Sequence, residues 1–117
     1  MNFELTASMM CANYGHLARE VDLLESGGKD SFHIDIMDGR YVPNFAMSLN
    51  DMKYIASATK KPLDVHLMIE HPNTRINLFF EESSQGRHSL HSSRGGVPSI
   101  YHLAGYYRCR HDSWYSY

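Results

Sequence analysis

Cysteine is scarce in this 117-residue chain: Cys11 and Cys109 lie near opposite ends and form neither a CxxC motif nor a disulfide framework. That scarcity argues against a disulfide-stapled secreted scaffold and for a reducing, cytoplasmic setting. No apolar run approaches the roughly 18 residues of a membrane helix. The opening "MNFELTASMM" has no basic segment followed by an apolar one. Charge of one sign is lacking too. With 11 basic and 13 acidic residues the net charge is -2, which gives no general attraction to nucleic acid or an anionic membrane. Length also limits the reading, because 117 residues make one ordinary domain, whereas a barrel of eight strands and eight helices takes about 250.

What is present is periodicity. Residues 3 to 9, "FELTASM", read as a short strand. "YGHLAREVDLLESGG" follows as a helix, with Leu17, Val21 and Leu24 at helical spacing and Gly27 and Gly28 as its stop. "SFHIDIM" is a second strand, because Phe32, Ile34 and Ile36 share one face while His33, Asp35 and Met37 share the other. After a loop with Pro43 and Asn44, Ser48 and Asp51 form a capping-box pattern ahead of Met52, Ile55 and Ala56. That predicts a second helix, ended by Lys60, Lys61 and Pro62. "LDVHLMI", residues 63 to 69, alternates again, with Asp64, His66 and Met68 opposite Leu63, Val65, Leu67 and Ile69. This β-α-β-α-β order predicts parallel strands joined by right-handed crossovers, with ligands at the strands' carboxyl ends.

One strand face carrying an imidazole and a carboxylate needs a reason. His33 and Asp35 recur in kind as Asp64 and His66, one strand-helix-strand step later. If the two strands are neighbours, His33, Asp35 and His66 meet at one end of the sheet. Two imidazoles and a carboxylate suit a divalent cation such as zinc, iron, manganese or cobalt. Such an ion polarises a carbonyl and steadies an enediolate while an adjacent carboxylate moves a proton. A histidine in a strand is more often a core or surface residue than a ligand, and the trio alone leaves that ordinary reading open.

Three segments in order, "SMMCANYGHL", "HIDIMDGRYVPN" and "PLDVHLMIEHP", resemble the ribulose-phosphate 3-epimerase family, a group of metal-dependent TIM-barrel sugar-phosphate epimerases. The resemblance covers about residues 3 to 79. It implies an α/β fold, the N-terminal part of a (β/α)8 barrel with about three βα units, occupying residues 1–79. It also implies that His33, Asp35 and His66 bind the metal and that Asp35 is one of two acid/base groups. Ser8, Met37, His66 and Met68 would contact a ketose phosphate whose carbon 3 is inverted through a metal-stabilised enediolate. The methionines' other reading is core filler, and Cys11 reads as a small buried hydrophobe near a strand end. "AMS" after "VPNF" is more similar to the branch acting on D-allulose 6-phosphate than to the D-ribulose 5-phosphate branch, where Gly-Pro commonly follows. In the family a second aspartate and the glycine-rich phosphate loops come from later strands. Their expected absence raises an alternative, a non-catalytic remnant that keeps part of the metal site.

Composition changes at about Phe80. Residues 80–117 hold eight of the thirteen serines, five of the eight tyrosines, and no lysine or methionine. Their few aliphatics follow no period, so an irregular tail is expected. Back-translation read one base later, with free third bases chosen, yields "DIVYIHPE" and "STTLQDIIDAGM", which resemble the family's next strand and helix. The expectation is an extra base near the codons of Phe79 and Phe80, and an out-of-frame tail on a truncated barrel. His88, His91, His102, Cys109 and His111 fit no ordinary zinc-finger spacing. Arg108, Arg110 and the tyrosines lack the basic excess of a nucleic-acid module. Three strands cannot close a barrel, so unpaired edges on the first and third strands are expected to favour self-association.

Overall fold

Alternating side chains become the two faces of a parallel sheet. The computed structural model describes residues 3–75, 77–79 and 88–92. Its strands are β1 (Thr6–Ser8), β2 (Ser31–Met37), β3 (Leu63–Met68) and β4 (His88–Ser92). They lie in the order β1-β2-β3-β4, every pairing parallel. A single 3₁₀ turn at Tyr14–His16 leads into helix α1 (Leu17–Ser26), and helix α2 (Leu49–Ala58) connects β2 to β3. The residues past β3 make another 3₁₀ turn at Pro72–Thr74.

One face is apolar and covered. Phe32, Ile34, Ile36, Leu63, Val65 and Leu67 of the sheet form a buried cluster with Leu17 and Val21 of α1 and Met52 and Ile55 of α2. Each such side chain, fully withdrawn from water, contributes on the order of 1.5–3 kcal/mol before conformational entropy is counted. The helices also contact each other. Thr59, buried just past α2, donates its hydroxyl proton to the Glu25 carboxylate near the end of α1.

Local chemistry sets the helix ends. Ser48 Oγ accepts from the Asp51 amide at 3.2 Å. Asp51 Oδ2 accepts in turn from the Ser48 amide at 2.8 Å, which is the capping box expected from the sequence. Gly27 caps α1, and Gly28 follows with φ +80°, a conformation cheap only for glycine. Helix α2 stops at Ala58, before the lysines and proline expected to end it, because Thr59 is already extended at φ -133°, ψ 155°.

Two expectations are corrected. A tail irregular throughout does not hold at His88–Ser92, which pairs along β3 as a fourth strand. Main-chain hydrogen bonding to an open parallel edge does not need an apolar alternation, which is why the composition concealed it. Consequently β3 is an inner strand, and the open edges among the described residues belong to β1 and β4. The first strand is also shorter than residues 3 to 9, running Thr6–Ser8, although the Leu5 amide still donates to Asp30 Oδ2 at 2.8 Å. Among the described residues no helix is long and apolar enough to cross a membrane.

Candidate metal centre

The uncovered face of the sheet carries the chemistry. Register pairs Ser8 with His33 and His33 with Asp64; two residues further along come Asp35 and His66, then Met37 and Met68. All six site residues expected from the sequence therefore share this face, in rows that climb toward the carboxyl ends of β2 and β3. The crossover through α2 makes the two strands neighbours, the condition the sequence left open.

Asp35 sits at the centre with 12 % of its side chain exposed. Its Oδ1 lies 3.1 Å from His33 Nε2 and 3.4 Å from His66 Nδ1. Its other oxygen, Oδ2, accepts from Ser8 Oγ at 3.3 Å. His33 is gripped from its far side as well, since Nδ1 lies 2.8 Å from Asp64 Oδ2. Burial by itself would lower the His33 pKa, but hydrogen bonds and charge from Asp35 and Asp64 outweigh it and raise the value to about 9. Burial likewise works against an ionised Asp35. The hydrogen bonds and charges of His33 and His66 win, holding its carboxyl well below the usual carboxylate range.

These atoms suit a cation. One donor atom from each of His33, Asp35 and His66 falls within 4.8 Å of the others. An ion bound at ordinary zinc–nitrogen and zinc–oxygen lengths places adjacent ligand atoms about 3.0–3.5 Å apart, and the separations of 3.1 and 3.4 Å fit that spacing. Without an ion these contacts are hydrogen bonds, with a proton on His33 Nε2 where a cation would sit. Asp64 has the position of an outer carboxylate that fixes the ring and tautomer of a ligand histidine.

Two participants were not assigned roles from the sequence. Asp64 was placed on the correct face, but its pairing with His33 depends on register. Asp38 was passed over altogether. Its Oδ1 accepts from the Arg40 and Tyr41 amides, each at 3.0 Å, and its Oδ2 from the Glu70 amide at 2.7 Å. Arg40 Nε and Glu70 Oε2, 2.8 Å apart, join the same two loops. Gly39 between them has φ +73°, with the Phe45 ring over the place a Cβ would occupy. The Asp-Gly turn signal in "MDGRY" was available; its long-range partner was not. Cys11, expected to be buried, is exposed.

Consecutive parallel βα units, helices on one face and a metal-competent cluster toward the strand ends on the other define the N-terminal part of a (β/α)8 barrel of the metal-site class. Comparison with known proteins makes this specific. The sequence model of the "Ribulose-phosphate 3 epimerase family" matches residues 4–100, so the chain belongs to the ribulose-phosphate 3-epimerase family. It is 40 % identical over 78 residues to the ribulose-phosphate 3-epimerase of Methanocaldococcus jannaschii, covering 67 % of this chain and 33 % of that protein. The Bacillus subtilis ribulose-phosphate 3-epimerase is 40 % identical over 76 residues, 65 % of this chain and 35 % of the relative. The Synechocystis ribulose-phosphate 3-epimerase is 32 % identical over 100 residues, 86 % of this chain and 43 % of the relative. The chain thus spans about a third to two fifths of the length of these curated relatives.

Proposed function

We propose that the site serves 3-epimerisation of a 2-ketose phosphate: a proton leaves carbon 3 on one face of the sugar and returns on the other. The observation that carries this reading is the convergence of His33, Asp35 and His66 donor atoms within 4.8 Å. The names of the relatives supply the substrate class. A divalent cation held by these three residues, zinc, iron, manganese or cobalt, would polarise the ketone oxygen and steady the negative charge developing there.

The two oxygens of Asp35 divide the work. Oδ1 faces the histidines and would be the ligand atom; Oδ2, on the Ser8 side, exchanges the proton on its own face of carbon 3, and a second acid/base group serves the opposite face. Because its carboxyl is held in the ionised form, Asp35 is ready as an acceptor at neutral pH. Ser8 positions Oδ2 and contacts substrate, as does His66 on the opposite side. The half-buried Met37 and Met68 keep water from the reacting carbon without competing as bases. The "AMS" stretch that suggested D-allulose 6-phosphate has structural roles: Met47 is buried in the core and Ser48 caps α2. Both ketoses therefore belong in the assay.

A second reading, a metal-binding remnant without turnover, has its own support. Among the described residues the group with metal-ligand spacing contains one carboxylate, whereas inversion needs acid/base groups on two faces. The test is to load the chain with each metal and follow epimerisation of D-ribulose 5-phosphate and D-allulose 6-phosphate, together with exchange of the carbon 3 hydrogen in deuterated water. Inversion and exchange, both lost in Asp35→Asn, are expected. Exchange without inversion marks a site that works on one face of the sugar only; neither, with any metal, refutes the epimerase and supports the remnant. The out-of-frame origin of residues 80–117 belongs to the same proposal. An uninterrupted reading frame through codon 80 with no epimerase-like alternative refutes that part.

A further inference from the structure

The ladder between β2 and β3 carries one rung that is not main chain to main chain. Phe32, paired with Leu63, donates its amide to the Pro62 carbonyl at 3.0 Å. In a parallel pair such bonds recur at two-residue steps, so the pattern continued past the last register pair, Met37 with Met68, sets the Glu70 amide opposite Asp38. That amide meets the Asp38 side chain, whose Oδ2 accepts it at 2.7 Å. The chain turns away at this point, with Gly39 at φ +73°, and Asp38 Oδ1 accepts from the Arg40 and Tyr41 amides of the turn, each at 3.0 Å. On the other strand the loop after β3 has an uncommon shape. His71, next to Glu70, has φ 53° and ψ 53°, a left-handed backbone that a residue other than glycine keeps only where its surroundings hold it.

We propose that Asp38 is a positioning residue: its carboxylate fixes the ends of β2 and β3 against each other and so holds Met37 and Met68 in place beside the cation site. These half-buried methionines are the last pair below the Asp38 rung, two residues beyond Asp35 and His66 on the same face. The consequence for turnover rests on the proposed function; the placement of the methionines does not. An ionised carboxylate suits the task because it accepts from three amides at once, each bond strengthened by its charge. An asparagine of the same shape still accepts through one oxygen, but its Nδ2 would set a donor against an amide donor. Asp38→Asn therefore breaks one side of the tie between the loops and leaves the other.

The test treats the full chain, kept metal-free by a chelator, with dilute hydrogen peroxide, which transfers one oxygen atom to a methionine sulfur and leaves as water. Peptide mass spectrometry then gives an oxidation rate for each methionine. In Asp38→Asn, Met37 and Met68 are expected to oxidise at least about threefold faster than in the unmodified chain, because oxidation follows exposure. Met9 and Met52, buried in the core, are expected to keep their rates. Arg40→Ala severs the exposed ion pair with Glu70 across the same loops and is expected to change none of these rates. Unchanged Met37 and Met68 rates in Asp38→Asn overturn the proposal. So does a rise at Met9 and Met52 as well, which would mark general loosening, or an equal rise in Arg40→Ala, which would give the hold to the ion pair. In turnover of the metal-loaded chain, Asp38→Asn is expected to lose about tenfold or more in kcat with zinc affinity unchanged, since the ligands sit lower in the ladder; a loss of zinc affinity with kcat kept at saturating metal overturns the positioning role. If the unmodified chain turns over neither ketose, the proposed function fails, and the oxidation rates still decide whether Asp38 holds the methionine pair.

Discussion

Metal affinity should rise steeply with pH, because the cation and a proton compete for one nitrogen. In the metal-free site His33 lies between two carboxylates, 3.1 Å from Asp35 and 2.8 Å from Asp64, and its pKa is raised to about 9. At pH 7 only about one His33 in a hundred is then neutral, so expelling the proton from Nε2 costs a cation on the order of 3 kcal/mol relative to a neutral imidazole. Asp35 adds no such competition, since its carboxyl is held below the usual range. Apparent affinity should climb about tenfold per pH unit from pH 6 to 8 and level off near 9. An imidazole at the ordinary 6.5 would bring the rise to an end by about pH 7.5. The assay is competition of cobalt or zinc with a chelator whose own proton binding has been calibrated at each pH. A plateau already reached at pH 7.5 would refute the reasoning, because it would mean that the two carboxylates do not hold the proton on His33.

The same groups set the pH dependence of metal-free stability. A raised histidine pKa means His33 stabilises fully below about pH 6.5 and progressively loses that contribution as pH rises toward 9. Asp35, with its pKa lowered, stabilises above the ordinary carboxylate value and loses its contribution as pH falls below it; urea midpoints of the metal-free chain should therefore peak between about pH 4 and 6.5, and a midpoint still increasing from pH 7 to 9 contradicts this. Phe32, fully buried between sheet and helices, should cost about 3–5 kcal/mol as Phe32→Ala, a large part of the roughly 5–15 kcal/mol of an ordinary domain; a variant with an unchanged melt would show that the covered face is not packed as described. Ser48→Ala removes the side-chain half of the α2 capping box and should cost about 1 kcal/mol, read as a shift of the denaturant midpoint. Gly39→Ala forces a side chain into φ +73° at about 1–2 kcal/mol; the exposed Phe45 ring can move aside, so a much larger loss would place the strain elsewhere.

The sequence by itself determined every feature whose cause is local. Period-two alternation in "SFHIDIM" and "LDVHLM" marked both central strands and put His33, Asp35, His66 and the methionines on one face, because successive strand side chains must point to opposite sides. Ser48 and Asp51 announced the start of α2, and Gly27 the end of α1, since capping satisfies main-chain groups within a few residues. Tertiary structure decided what depends on which strand lies beside which, and in what register. Only that pairing sets Asp64 against His33 and brings Asp35 and His66 to 3.4 Å. It also folds the Glu70 amide back onto Asp38 across 32 positions. The fourth strand belongs to the same group, because backbone amides and carbonyls pair with an open edge whatever side chains they carry. Composition records side chains, and it was silent there for that reason.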